Sequence, residues 1–153
     1  MPPRGVKDAQ KEQQPSPLPY TVEMTASAES VYADLYRKAK AAEASGHPGN
    51  AHSTTFNMVR EAIKTIIPND PLNKRYALRG ELSNIFRLRK GRLRICWIAS
   101  SQMRRICILF IAQTLRKEGD ANDPYVIFQN LLESGLFDEA MQKLSVKMPH
   151  ARR

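Results

Sequence analysis

The side chains that could do chemistry in this chain are arginines. Residues 72–117 hold twelve Lys or Arg and one acid, Glu81, a local charge of about +11. The 71 residues before them sum to zero and the 36 after to −2, so the whole excess of +9 comes from this block. Guanidinium groups bind phosphodiesters in bidentate fashion and stabilise the charge that grows on them in a transition state. Arg87, Arg89, Arg92 and Arg94 alternate with apolar residues, and Arg116 and Lys117 close the block. Tyr125 follows on the next helix pattern. It reads either as a half-buried helical aromatic or as a group that orients or deprotonates a nucleophile. RNA brings its own nucleophile, the 2′-hydroxyl. An enzyme that lines this group up with the phosphorus needs little else.

Other chemistries find few residues to run on. His47, His52 and His150 are scattered, and the sequence has no Cys-x-x-Cys, no Gly-rich phosphate loop and no Ser or Cys nucleophile signature. No metal and no cofactor are expected. The acids are too thin in the basic block for a paired-carboxylate mechanism. Cys96 and Cys107 do not make a disulfide framework and read as reduced core thiols. The N-terminus, MPPRGVKDAQKEQQPSPLP, is polar and Pro-rich rather than a signal peptide. The longest uninterrupted apolar run, Ile106–Ala112, is too short to span a bilayer. A cytoplasmic protein with no membrane contact is expected, and a pI near 9.8 points to a nucleic-acid partner.

The elements that must position the arginines follow from periodicity. Runs 84–89, 92–99 and 105–112 are apolar and β-branched, and turn-like breaks separate them, so an antiparallel meander is predicted. With Lys90-Gly91 as a two-residue turn, Arg89 pairs with Arg92 and Arg87 faces Arg94. With Ser100–Met103 as the second break, Cys96 faces Cys107. One face is then Phe86, Leu88, Leu93, Ile95, Trp97, Ile106, Ile108 and Phe110, without charge. The other carries Arg87, Arg89, Arg92, Arg94 and Arg105 among Ile85, Cys96, Cys107 and Leu109. Opposing Arg to Arg costs stability unless something neutralises it. The second face therefore reads as an open surface for a polyanion, or else as the solvated face of a basic protein.

Tyr20–Met24 predicts a first strand, with Thr25 or Ser27 capping an amphipathic helix through Val31, Leu35 and Ala39. A second helix is expected over Ser53–Ile67, ended by Pro68 and Pro71. After the meander, Asp123 caps and Pro124 starts a helix with Val126, Ile127, Leu131 and Leu132 inward, and Gly135 stops it. A last helix spans about 137–146. The expected fold is α+β, a small antiparallel sheet of first strand plus meander packed on two N-terminal helices, with two C-terminal helices. Residues 1–19 read as a disordered tail, 20–147 as one domain and 148–153 as a frayed end.

These residues carry a resemblance. The order of strand, two helices and meander, with LRGELSNIFRLRKGRLRICWI and a strand ending ILFIAQTLRK, resembles the RelE/ParE superfamily of toxins. GRLRICWI followed by LRKEGDANDPYVIFQNLLESG resembles the YhaV family, the toxin half of PrlF–YhaV toxin–antitoxin modules. The pattern is carried by Leu115, Arg116, Gly119, Asp123, Tyr125, Phe128, Leu132 and Gly135, and the resemblance covers about 20–146. It implies an mRNA interferase that cuts by 2′-hydroxyl attack, on or off the ribosome, and is neutralised by a cognate PrlF-like antitoxin. Carried onto this chain, Arg87 and Arg94 bind phosphate, with Arg89, Arg92 and Lys117 beside them. Arg116 supports transition-state or leaving-group charge, and Tyr125 is base or orienting group. A non-catalytic relative, either an inhibitor of another enzyme or an RNA-binding module, would share the basic face.

Overall fold

The computed structural model describes residues 19–46, 51–113 and 124–146. Strand β1 (Thr21–Met24) leads into α1 (Ala26–Ala44), and α2 (Ala51–Glu61) follows. Two 3-10 turns precede β2 (Phe86–Lys90), β3 (Leu93–Ser100) and β4 (Arg105–Gln113). Helices α3 (Pro124–Glu133) and α4 (Asp138–Lys143) end the described chain. The sheet is four-stranded in the order β1-β4-β3-β2. The expected α+β architecture holds, with one refinement: the meander is antiparallel, but β1 joins β4 in parallel, Thr21 beside Arg105 and Met24 beside Ile108.

Thr25 explains how β1 gives way to α1. Its hydroxyl accepts from Ala28 N–H at 3.1 Å, capping the helix. The same hydroxyl donates to the Leu109 carbonyl at 2.9 Å, and Thr25 N–H donates to Ile108 O at 3.0 Å. Leu109 is the unpaired residue of a bulge, since Trp97 pairs with Ile108 while Cys96 pairs with Phe110. One side chain thus starts a helix and satisfies a carbonyl displaced from the ladder. Thr25→Val keeps the shape and loses both bonds, so we expect a loss of about 1–2 kcal/mol in urea unfolding.

Pro68 does not end the second helix as expected. α2 runs on as a π-helical turn, Ala62–Ile66, and a final α turn, Ile67–Asn69. A proline ring presses on the carbonyl four residues back in a regular α-helix. Here the turn before it is wider, closed by Ile67 N–H donating to Ala62 O.

The two helices cover one face of the sheet. Leu35, Phe56, Val59, Ile63 and Ile67 pack on Phe86, Leu93, Ile95, Trp97, Ile106, Ile108 and Ile111. Trp97 is fully buried, and its indole N–H is satisfied by Pro71 O at 3.0 Å. The other face is also core, contrary to the expected open surface. Ile85, Cys96, Ile98, Cys107, Leu109 and Phe110 lie under Phe128, Leu132 and Met141 of the C-terminal helices and under Phe137 and Leu144, which flank the last one. Phe110 was expected on the first face. The bulge at Leu109 reverses the alternation beyond it, so Phe110 and Ile111 exchange sides. Val126 and Ile127 were expected inward, yet both are exposed, while Phe128 and Leu132 hold the inner face of α3.

Candidate nucleic-acid interface and active site

The basic site forms at the β2–β3 hairpin, in a register two residues from the expected one. The turn is Gly91-Arg92, with Gly91 at φ +59°, a backbone conformation that glycine reaches without strain. Arg89 then faces Arg94, and Arg87 faces Cys96. One Arg–Arg pair replaces the expected two, and Arg92 sits in the turn rather than in the row. A shift of two keeps every side chain on its face, so Arg87, Arg89 and Arg94 still share one side of the sheet.

Across the strands this side reads Arg89–Arg94–Ala112 and, next to it, Arg87–Cys96–Phe110. Phe110 packs on Phe128 of α3, ring centroids 5.6 Å apart. The row therefore runs up to α3, whose second residue is Tyr125. The Tyr125 side chain lies outside the described set, and Arg116 and Lys117 lie outside the described residues. No signal in the sequence singled out Phe110 and Phe128 as the link between the arginine row and that helix. The i−3 spacing of Tyr125 before Phe128 is the nearest to one.

Arg94 is the buried member, 5% exposed. Its Nη1 donates to Gly91 O at 2.8 Å and to Leu93 O at 2.9 Å, so the guanidinium grips the turn from inside. Arg87 is half-buried, and Arg89 and Arg92 are exposed. Arg87, Arg89 and Arg94 each make further interactions.

Arg105, expected on the basic surface, is turned to another use. Its Nε and Nη2 donate to Glu23 Oε2 at 2.9 and 2.5 Å, and Lys143 reaches Glu23 Oε1 at 3.3 Å. Burial alone would raise the Glu23 carboxyl, but the hydrogen bonds from Arg105 and Lys143, with their charges, leave it lowered from 4.5. A lowered folded value means stabilisation that is complete above pH 4.5 and is lost as the pH falls through that folded value. Glu23→Gln should then cost on the order of 1 kcal/mol or less at pH 7. The gap between its urea midpoint and that of wild type should narrow from pH 7 to pH 3. A gap unchanged between the two pH values would contradict this.

The cysteines are not opposed as expected: Cys96 faces Phe110 and Cys107 faces Ile98. Both are free and buried. Burial pushes Cys96 up to about 12, against the pull of the nearby Arg87 charge, and Cys107 up to about 11. Neither is a thiolate near neutral pH, so neither is an activated nucleophile. Among the described residues no three His, Cys, Asp or Glu side chains gather to hold a metal ion, and no helix is long and apolar enough to cross a membrane.

A mixed sheet between two helical layers, with arginines ranked on one side of a hairpin, defines a small α+β protein with a basic row. Residues 22–148 match the family model Toxin_YhaV, described as a toxin with endonuclease activity, of toxin–antitoxin system. The chain belongs to this family, and its class is that of an endonuclease toxin paired with an antitoxin. Two solved structures are similar. One is the toxin–antitoxin complex RelBE2 from Mycobacterium tuberculosis, at 21% identity and TM-score 0.47, covering 66% of this chain and 98% of that one. The other is the isolated E. coli RelE toxin, at 9% identity and TM-score 0.47, covering 75% of this chain and 97% of that one. No curated protein matches.

Proposed function

We propose that this chain is an mRNA endoribonuclease that needs no metal and that inhibits translation. The observation that supports this most is the row of Arg87, Arg89 and Arg94 on one side of the hairpin, running by way of Phe110 and Phe128 to the helix that bears Tyr125. Arg87 and Arg94 hold the scissile phosphate, and Arg89, Arg92 and Lys117 hold its neighbours along the strand. The substrate's 2′-oxygen attacks phosphorus in line with the departing 5′-oxygen. The 2′-proton passes to a base or to water with Tyr125 orienting the group, and the 5′-oxygen leaves with a proton. Arg116 stabilises the charge that builds on the phosphoryl and leaving oxygens. The products are a 2′,3′-cyclic phosphate and a 5′-hydroxyl. The toxin domain spans 20–147, with a tail over 1–19 and a short end over 148–153. The antitoxin is PrlF-like, and both proteins work in the cytoplasm, where the mRNA is bare or on ribosomes.

The test is incubation of purified protein with labelled mRNA in EDTA, with and without ribosomes, followed by analysis of the ends. Cleavage that leaves cyclic phosphate and 5′-hydroxyl is the expected result, and a requirement for ribosomes would locate the substrate there. RNA that stays intact in both conditions, yet is bound, would replace the enzyme with a binding module.

A further inference from the structure

The edge of the sheet away from the hairpin carries a second surface. β1 is an edge strand, paired on one side with β4. Thr21 N–H donates to Arg104 O and Thr25 N–H to Ile108 O, so the odd-numbered backbone groups of the strand point at β4. Alternation aims the N–H and C=O of Val22 and Met24 the other way, along the outer edge. A groove of about 660 Å³ runs beside this edge, lined by Val22, Tyr32, Ile63 and Pro68 among others. Lys64 and Arg104 also line it, Arg104 lying over the Tyr20 ring with its guanidinium carbon 3.9 Å from the centroid. None of the lining residues is acidic.

We propose that this groove receives an extended segment of the antitoxin, alternating apolar and acidic, which adds as a strand outside β1. Main-chain bonds to Val22 and Met24 would supply register, apolar side chains would enter the groove, and carboxylates would lie by Lys64 and Arg104. The chain's own N-terminal segment is a poor occupant. Just before β1 it carries Pro15, Pro17 and Pro19, and proline has no N–H to give to a sheet edge. Before those prolines it offers Met1, Val6 and Ala9 among charged and amide residues. A second copy of this chain brings the same two cations to the groove and meets like charge.

The groove lies at β1 and the arginine row at the β2–β3 hairpin, on opposite edges of the sheet. The docked segment is therefore a tether and not the block on RNA. The inference rests on the family's pairing with an antitoxin and is independent of the cleavage mechanism proposed above.

Hydrogen exchange of the purified toxin, alone and with its cognate antitoxin, reads the proposal directly. The amides of Val22 and Met24 should exchange fast in the toxin alone and at least tenfold more slowly in the complex. Lys64→Glu, a substitution at an exposed site, should weaken antitoxin binding at least tenfold in calorimetry while RNA cleavage by the toxin alone stays within twofold. Amides already protected in the toxin alone would show that the groove is held by its own N-terminal segment or by a second copy, and would overturn the proposal. So would amides that stay unprotected in the complex, or a Lys64→Glu toxin that binds antitoxin like wild type. A toxin that cuts no RNA yet shows both expected results would sink the cleavage reading and leave this one standing.

Discussion

Arg94→Ala should lose about 2–3 kcal/mol of unfolding free energy and about 10²–10³ in cleavage rate at once. The two losses have different origins. Nη1 of Arg94 spans Gly91 O and Leu93 O from a position only 5% exposed, so removing it strips two charge-assisted bonds from the tightest turn of the sheet. The same side chain stands opposite Arg89, in the row proposed to hold the phosphate. Arg94→Lys separates the effects. An ammonium keeps the charge but replaces a rigid planar fork with a single flexible donor. We expect the Lys variant to recover RNA affinity at low salt and to remain destabilised. An Arg94→Ala protein that melts like wild type in guanidinium would show that the turn does not depend on this residue.

The second large effect concerns Arg116 and Tyr125. Arg116→Ala and Tyr125→Phe should each lower the single-turnover cleavage rate by about 10²–10³, the usual loss when a transition-state donor or an acid–base group is removed. RNA affinity should change by less than about threefold, because Arg87, Arg89 and Arg92 remain. The double variant should fall short of the product of the singles, since groups acting on one transition state are not additive. Rates near wild type in both singles would move the chemistry to the hairpin itself. A parallel loss of affinity and rate would reassign Arg116 to substrate binding.

The elements were legible because local signals agreed. Thr25 as a cap, Pro124 at a first helical position and Gly135 with its φ of +86° all stand where the sequence put them. Pairing was legible only to within an even step. Phe86 meets Trp97 instead of Ile95, and both partners are apolar, so the pattern cannot tell one register from the other. The bulge left no trace either: from Ile106 to Ala112 no polar residue marks which way a side chain turns. The same blindness put Val126 and Ile127 inward, since Tyr-Val-Ile-Phe offers no polar residue to fix the face. The arginines mark the second sheet face as open, and no local pattern ties the C-terminal helices to its other end. Arg87, Arg89 and Arg94 were found on one side because a two-residue slip preserves sides. That Arg94 is buried, and that Arg105 is held by Glu23, depend on neighbours 3 and 82 residues away that no local pattern encodes.

Thr25 has a consequence for how the chain is born. Its hydroxyl bonds Leu109, 84 residues further on, and β1 has no partner in the sheet until β4 exists. At roughly 5–20 residues per second of synthesis, that is about 4–17 s in which Val22, Tyr32 and the apolar side of α1 await the strand they cover. Such long-range closure is also slow to fold, since loop entropy is lost before the contacts form. The hairpin arginines are made just before β4, so they and the strand that closes their scaffold are completed together, late in that interval. A ribosome making this toxin has thus passed its Gln113 codon before the nascent chain can fold into an endonuclease.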